Sequence, residues 1–316
     1  KDNQPAGPET ISGDFSVKAT IADASWAENA SIALYHSAGD AVVSDGEFKL
    51  SGDVFKGSLA EAIEDGKEYE WIAVSPYTAG AELSAYPVEL DGTAAPLFGK
   101  VKAAASKTAA PEIAMTSLAA FAKVNVKNST TAAIEVSSAS ITAPESEKIA
   151  GKFTVDLTAA APALKAVEAS NVAAYTGNVE VKAGETAEIV FAVAPVTFAA
   201  GTELTLKVGE NEHKVALEAE TVLAAGKVTE LATVEEKPVE VYLCGDAFVC
   251  GWDFSDECRL TPSESNPKIL SWTGDVAGNK QFFASFVKSW DGTFITPEIT
   301  GQENEDAYYI VRTEME

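Results

Sequence analysis

Residues 122–143, AKVNVKNSTTAAIEVSSASITA, decide the fold class of this chain. Apolar and polar residues alternate in AKVNVKN (122–128), and they largely alternate again in AIEVSSASITA (133–143) after a polar turn. Successive side chains of a strand point to opposite faces, so this period of two places one face on a core and one in water. The pattern is typical of antiparallel strands in stacked sheets.

The same alternation, punctuated by Asp-Gly turns, covers most of the chain. We therefore predict an all-β fold: two tandem antiparallel β-sandwich domains followed by a small β-sandwich or β-rich C-terminal domain. Two short segments, SLAEAIEDG (58–66) and MTSLAAF (115–121), are predicted as helical turns. The other predicted strands are FSVKATIA (15–22), ASIALYH (30–36), EFKLSG (47–52), EYEWIAVSPY (68–77), GKFTVDLT (151–158), NVEVKAG (178–184), EIVFAVAPV (188–196) and ELTLKVG (203–209).

Composition shifts along the chain predict the domain boundaries. A small-residue linker, AASKTAAPE (104–112), and a charged stretch, TVEEKPVE (233–240), separate three segments. All three cysteines and three of the five tryptophans lie beyond the second boundary. The predicted parts are a flexible tail (1–14), a first sandwich (15–110), a second sandwich (111–232) and a C-terminal domain (240–316).

The chain is strongly acidic, with 48 acidic and 23 basic side chains and a net charge of -25. Such a surface repels phosphate backbones and anionic lipids, so we expect neither nucleic acid nor direct membrane binding. The start KDNQPAGPET is a polar stretch of the kind that follows an export signal or lipid anchor. We expect an exported protein whose membrane attachment is an N-terminal lipid anchor that this chain lacks.

The sequence gives little support for an enzymatic or metal-binding function. The two histidines, His36 and His213, are far apart in sequence, and neither GxSxG nor HExxH occurs. Aspartates next to glycine are interpreted as turn caps, because no calcium-loop pattern surrounds them. No catalytic residue, cofactor or metal is predicted.

The cysteine spacing C-x5-C-x7-C, from Cys244 to Cys258, matches no zinc pattern. Two alternatives remain open. In an exported protein, Cys250 and Cys258 form a disulfide that encloses Trp252, leaving one thiol. Otherwise all three cysteines stay reduced and structural.

Residues 15–232 resemble the fimbrillin-like (Mfa/Fim-type) adhesins, which are surface lipoproteins of Gram-negative bacteria. The stretches that carry the resemblance are ASWAENASIALYH (24–36), FKGSLAEA followed by YEWIAVSPY (69–77), MTSLAAFAKVNVKN (115–128), SASITAPESEKIAGKFTVDL (138–157), FAVAPVTFAAGTELTLKV (191–208) and LAAGKVTEL (223–231). The resemblance implies two tandem β-sandwiches on the outer membrane of such a cell, used as adhesins or pilus components.

Residues 240–300 resemble a second family, the SusE/SusF-type outer-membrane starch-binding proteins. VYLCGDAFVCGWD (241–253) is similar to that family's strand-and-turn entry, and ILSWTGDVAGNKQFF (269–283) to its hairpin. Three departures separate the chain from this family: Gly278 comes one residue early, Phe282 and Phe283 are adjacent, and the closing strands are shortened. The resemblance implies a carbohydrate-binding domain in which Trp252 lies near a glycan-facing loop.

A sugar site needs exposed aromatic rings for the apolar ring faces and fixed polar groups for the hydroxyls. Trp71 and Trp272 are predicted in cores, and Trp26, at the start of a strand, is predicted either in the core or exposed. Trp252 and Trp290 lie in turn-like contexts next to glycine or aspartate. The candidate glycan-binding residues are Trp252, Asp253, Lys280, Gln281, Trp290, Asp291 and Tyr308, with Lys288 as a further polar candidate.

Three functions are compatible with these patterns. The leading hypothesis is a non-enzymatic cell-surface adhesin, with the two sandwiches as a stalk and the C-terminal domain as a glycan-binding tip. The second is a pilus subunit, anchor or tip protein that assembles by strand donation. The third is a glycoside-acting enzyme, for which no carboxylate pair is singled out. Expected partners are a polysaccharide or surface glycan, and other surface or pilus proteins.

Overall fold

The computed structural model describes residues 9–22, 24–39, 41–262, 270–277, 281–286 and 288–290, and the backbone of two further strands, 294–297 and 309–312. The predicted all-β fold is confirmed, since the only helical segments among the described residues are two 3-10 turns, Leu83–Ala85 and Asp256–Cys258. No helix in this part of the chain is long and apolar enough to span a bilayer. The chain divides into two compact units, and the first comprises residues 1–126, 135–180 and 187–234.

A closed barrel of seven strands forms the N-terminal part of the first unit. Its strands are β1 (Thr10–Ile21), β2 (Ser31–Ser37), β3 (Val42–Ser51), β4 (Val54–Glu64), β5 (Glu68–Ser75), β7 (Leu97–Ala104) and β8 (Glu112–Ser117). Strand β6 (Tyr86–Leu90) lies outside the barrel. Neighbours follow the order β1-β4-β3-β2-β5-β7-β8. The barrel closes through β1, whose first part pairs with β4 and whose residues 18–21 pair in parallel with β8.

Two predictions about this part of the chain are wrong. Residues 10–14, predicted as part of a flexible tail, already belong to β1, because Ile11 is buried in the barrel core. The segment SLAEAIEDG is strand β4 and not a helical turn. Its buried Leu59 and Ile63 are four residues apart, a spacing that suits a helix, but pairing with Gly13 and Ile11 of β1 decides the structure.

The barrel interior is built from large aromatic side chains. Trp71, predicted in a core, is fully buried and its ring stacks on Phe15 at 5.1 Å. Trp26, predicted either in the core or exposed, is half-buried, and its indole N–H donates to the carbonyl oxygen of Ala19 at 2.7 Å. Because buried aromatic side chains dominate core energetics, Trp71 is expected to be one of the large contributors to the stability of the barrel.

One polar pair lies within this apolar interior. The Nδ1 of His36 is 2.6 Å from Oδ2 of Asp45, and both residues are buried. The second carboxylate oxygen of Asp45 accepts the backbone N–H of Ala60 at 3.0 Å. Buried polar groups are costly unless they are hydrogen-bonded, so these contacts link β2, β3 and β4.

The remaining strands of the first unit form further sheets. β6 pairs with β11 (Ala150–Val155), and β11 pairs with β12 (Leu164–Ser170). The sheet orders are β13-β10-β16-β17, β14-β9-β19 and β15-β18. These strands are β9 (Ala120–Asn128), β10 (Ile134–Thr142), β13 (Val172–Val181), β14 (Thr186–Val193), β15 (Val196–Phe198), β16 (Glu203–Val208), β17 (Asn211–Ala216), β18 (Thr221–Leu223) and β19 (Val228–Glu236).

The strand pairing does not follow the domain boundary predicted near residue 110. β8 lies beyond that cut and completes the barrel, whereas β6 lies before it and pairs with β11. The segment MTSLAAF, predicted as a helical turn, is divided between β8 and β9, with a bend at Leu118 and Ala119. A second core, which includes Tyr35 and Tyr86, joins residues of the barrel strands to residues of these sheets.

Tyr35 gives this second core a measurable pH dependence. Burial, aided by the nearby Tyr86, raises the pKa of Tyr35 to about 12, and its hydroxyl donates to the carbonyl oxygen of Ala81 at 2.9 Å. The neutral side chain is favoured in the folded state, so its stabilisation is complete below pH 10 and is lost as the pH rises from about 10 to 12. We expect this loss to reach about 2 kcal/mol in the free energy of unfolding.

Urea unfolding at a series of alkaline pH values measures this effect. The variant Tyr35→Phe should show a shallower fall in the free energy of unfolding with pH than the unmodified protein does. Equal slopes for the two proteins would contradict the assignment of this pH dependence to Tyr35.

The second unit comprises residues 127–134, 181–186 and 235–316. Asn128 is fully buried, and its side-chain amide donates to the carbonyl oxygens of Ala132 and Val181, each at 2.8 Å. The C-terminal strands are β20 (Tyr242–Cys244), β21 (Thr261–Pro262), β22 (Leu270–Ser271), β23 (Phe283–Ser285), β24 (Phe294–Pro297) and β25 (Tyr309–Arg312). They form a four-stranded sheet, β20-β23-β24-β25, and a short β21-β22 pair. Short strands and long connections leave many aromatic side chains of this unit on loops.

Candidate functional site

The segment YLCGDAFVCGWD (242–253) begins as strand β20 and continues as a compact loop. β20 pairs antiparallel with β23, which places Cys244 opposite Phe283. Both residues are buried, and Phe254 packs against them. This small apolar cluster is the base on which the loop rests.

Gly245 allows the chain to turn immediately after β20. Its φ of 138° is rarely adopted by other residues, and a Cβ there would collide with the backbone carbonyl of Gln281. The N–H of Gly245 donates to the carbonyl oxygen of Gly251 at 2.7 Å, which closes the loop 245–251. The turn therefore brings the residues after Gly251 back towards β20.

A disulfide joins Cys250 to Cys258, the pair named in the first of the two cysteine alternatives. Cys244 remains a buried free thiol whose pKa is raised, chiefly by burial and also by the charge of Asp253. The disulfide encloses Trp252 and Phe254 within a sequence separation of 8 residues. Such a cross-link reduces the conformations open to this short segment.

Trp252 and Trp290 present their rings to solvent, with 40% and 50% of their surfaces exposed. Their ring centroids are 6.3 Å apart and the ring planes differ by 25°. Phe283 lies near both indoles, at 6.3 Å from Trp252 and 5.5 Å from Trp290. Phe254 meets Trp290 edge-on at 5.2 Å. We call Trp252 and Trp290 the tryptophan pair; the structure brings together these two residues, which are distant in sequence.

The candidate polar residues have different surroundings. Asp253, next to Trp252, and Gln281 are both exposed, and the backbone N–H of Gln281 donates to Oδ1 of Asp246 at 2.8 Å. Lys288 forms an ion pair with Asp256 at 3.1 Å, and its ammonium group lies 5.6 Å from the centre of the Tyr242 ring. Three predicted site residues, Lys280, Asp291 and Tyr308, lie outside the described residues.

Trp272, predicted in the core, is only half-buried. Its indole N–H donates to the carbonyl oxygen of Glu257 at 2.7 Å, and Phe248 meets its ring edge-on at 5.3 Å. Phe282 also meets Phe248 edge-on, so these three residues form a second aromatic cluster. The hydrogen bond and the ring contacts hold these three aromatic side chains in place, and all three are less exposed than the tryptophan pair.

Sequence reasoning missed Phe254 and Phe283 as the support beneath the tryptophan pair. A signal for Phe283 was present, because it lies in the apolar stretch QFF of the predicted hairpin. Phe254 gave no periodic signal, since it lies in an irregular loop closed by the disulfide.

The described side chains at this site are mainly aromatic and polar. In the described part of the chain, no group of three or more His, Cys, Asp or Glu side chains is placed to hold a metal ion. The pKa of Tyr242 is raised by burial, followed by its hydrogen bond to Glu240. These side chains offer flat apolar faces and hydrogen-bonding groups around them.

A separate groove of about 740 Å³ lies in the first unit, along the N-terminal half of β1. Strand residues on its wall include Asp14, Ser16 and Lys56, and the loop 106–110 forms another side. Residues 10–17 of β1 pair with β4 on one edge only, and no described strand pairs with their other edge. The groove thus borders a stretch of unpaired strand edge.

Comparison with known proteins finds similarity in structure alone. No family model matches the chain, and no curated protein matches it. A candidate cell adhesion protein from Bacteroides ovatus has a TM-score of 0.50 at 10% identity, over 71% of this chain and 93% of its own. A candidate cell adhesion protein from Bacteroides uniformis has a TM-score of 0.48 at 17% identity, over 71% of this chain and 93% of its own.

A fimbrial protein from Bacteroides ovatus is also similar, with a TM-score of 0.39 at 10% identity, over 73% of this chain and 52% of its own. The likeness at a TM-score of 0.50 supports a conclusion about the fold alone. The chain shares the fold of the candidate cell adhesion protein from Bacteroides ovatus over 71% of its length.

Proposed function

We propose that this protein is a non-enzymatic cell-surface adhesin whose C-terminal region binds carbohydrate through the tryptophan pair. The layered strands of the first unit serve as a stalk, and the second unit carries the binding tip. The observation that carries this proposal is the exposure of two neighbouring indole rings, at 40% and 50%, both in contact with the buried ring of Phe283.

The free energy gained by burying tryptophan side chains favours a ligand on the exposed faces of these two rings. A small domain needs its large aromatic side chains for its own core, so leaving two tryptophans half-exposed forgoes burial worth about 1–2 kcal/mol each. The pyranose ring has an apolar face that matches an indole, and its hydroxyls find partners in groups such as Asp253 and Gln281. The aromatics that are exposed among the described residues all lie within 252–290.

The structural neighbours support a cell-surface location for this protein. The structural neighbours are named as candidate cell adhesion and fimbrial proteins of Bacteroides. We propose by analogy that this chain acts at the surface of a Gram-negative cell, attached to the outer membrane by a lipid anchor.

Affinity electrophoresis with the full chain tests carbohydrate binding. Gels containing galactomannan, xyloglucan or amylopectin should retard the protein, and Trp252→Ala or Trp290→Ala should weaken binding at least about tenfold, since one aromatic anchor contributes about 1–3 kcal/mol. The matched control is Val249→Ala, which trims an exposed apolar residue of the same loop and should leave binding unchanged. Equal retardation of all variants would refute the role of the tryptophan pair.

A pilus subunit, anchor or tip protein is the second candidate function. The groove beside the unpaired edge of residues 10–17 favours it, because an incoming strand gains main-chain hydrogen bonds at such an edge. Assembly by strand donation should give a ladder of heat-labile oligomers on non-boiled gels of surface extracts. A single monomer band, unchanged by boiling, would remove this candidate and leave the adhesin.

A further inference from the structure

We infer that the carbohydrate bound by the tryptophan pair is uncharged, and that Asp253 makes the site discriminate against glycans carrying carboxylate or sulfate groups. This inference rests on the proposed function and narrows its ligand class. It follows from the spacing of the two indoles and from the charges of the side chains around them.

The spacing of the rings determines where a sugar can lie. Non-bonded carbon atoms meet at about 3.5–4.0 Å, so a pyranose held between two aromatic faces needs them roughly 7–8 Å apart. The centroids of the tryptophan pair are 6.3 Å apart with nearly parallel planes. No sugar ring fits between them, and the ligand must lie against their solvent-exposed surfaces, where its substituents reach the neighbouring protein groups.

Asp253 is the nearest of these groups in sequence. It follows Trp252 directly, it is exposed, and its carboxylate accepts no hydrogen bond from any described residue. An unoccupied carboxylate is a strong acceptor for sugar hydroxyls. The same carboxylate repels a uronate or a sulfate that occupies the place of a hydroxyl.

The two cations described in this part of the chain, Arg259 and Lys288, are both paired. Arg259 lies 3.0 Å from a carboxylate oxygen of Glu240, and Lys288 lies 3.1 Å from one of Asp256. Arg259 and Lys288 are the basic residues among those described between 240 and 290. The acidic residues described in the same range are Glu240, Asp246, Asp253, Asp256, Glu257 and Asp275.

Carboxylates therefore outnumber cations six to two among the described residues of this range, and both of these cations are paired, so they offer no unpaired charge to an anionic ligand. Repulsion of this kind changes specificity more than it changes affinity for the preferred ligand. A neutral glycan is not repelled by the carboxylates, and its hydroxyl groups still donate hydrogen bonds to Asp253. The site is thus suited to uncharged polysaccharide.

A chemically matched pair of polymers tests the inference. Whichever of galactomannan, xyloglucan and amylopectin binds the full chain is oxidised at its primary alcohols, which converts hydroxymethyl groups to carboxylates on the same backbone. We expect the oxidised polymer to bind about tenfold more weakly at about 20 mM salt, and the difference to shrink to about two- to threefold at about 0.5 M salt.

The variant Asp253→Asn assigns the effect to one residue. It should narrow the low-salt difference between the two polymers to about threefold or less, whereas Asp53→Asn, the same charge change on an exposed turn of the barrel, should leave the difference unchanged. Tryptophan-dependent binding of the oxidised polymer that equals or exceeds that of the neutral one would overturn the ligand class. An unchanged difference in Asp253→Asn would overturn the role of that residue. Binding of neither polymer would instead defeat the proposed function itself.

Discussion

Replacing Asp45 by alanine is expected to lower the free energy of unfolding by about 3–5 kcal/mol, the largest loss expected of any polar substitution in the barrel. The carboxylate of Asp45 accepts from the backbone N–H of Ala60 and contacts Nδ1 of His36 at 2.6 Å. Its removal leaves both partners without an acceptor in a site that water does not reach, since His36 is 3% exposed. Urea unfolding followed by circular dichroism measures the change.

Two further variants make this result specific. Asp53→Ala removes an exposed aspartate from the turn between β3 and β4 and should change stability by less than about 0.5 kcal/mol. The double variant His36→Ala with Asp45→Ala should cost less than the sum of the two single changes, because the second substitution removes a group that the first left unpaired. Additive losses, or a loss for Asp45→Ala no larger than for Asp53→Ala, would contradict a coupled buried pair.

Replacing Phe283 by alanine is expected to cost about 3–5 kcal/mol of stability in the second unit and to abolish carbohydrate binding. Phe283 is 2% exposed, packs with Cys244 and Phe254, and lies beneath both indoles of the tryptophan pair. Its removal leaves a cavity at the base of the site and takes away the support that fixes the two rings. Thermal unfolding and affinity electrophoresis measure the two effects.

The matched control for this change is Phe286→Ala. Phe286 lies three positions further along the chain, just after β23, and is 36% exposed, so its loss should cost less than about 1 kcal/mol. The variant Phe283→Leu should recover part of the stability, since it keeps most of the apolar volume. If the two alanine variants were equally stable, Phe283 would not be the support of the site.

The alternation of apolar and polar residues was sufficient to predict an all-β chain, but not the pairing of its strands. β4 was mistaken for a helical turn because Leu59 and Ile63 fit a helical spacing, and only contact with β1 resolves the ambiguity. Strand β12 showed no clear alternation of apolar and polar residues, since most of its residues are exposed and two of the seven are alanines. The position of β8 in the barrel depends on parallel pairing with β1, a contact between residues about ninety positions apart that no local pattern contains.

The candidate site was predictable in part. Turn-like neighbours made Trp252 and Trp290 candidates for exposure without deciding between exposure and burial, and the structure exposes both. Their proximity was not predictable, because it depends on the β20–β23 pairing and on the loop that the Cys250–Cys258 disulfide closes. Trp272 looked like a core residue, yet a hydrogen bond to the carbonyl oxygen of Glu257 holds it half-buried.

Nuclear magnetic resonance of the indole N–H groups tests the central claim most directly. The chain has five tryptophans, and therefore five indole signals, which single substitutions assign. The indoles of Trp26, Trp71 and Trp272 donate to backbone carbonyl oxygens within the protein. On titration with a neutral polysaccharide that retards the protein, we expect the signals of Trp252 and Trp290 to shift and the other three to stay in place. Shifts confined to the other three indoles, or no shift at saturating polysaccharide, would contradict binding at the tryptophan pair.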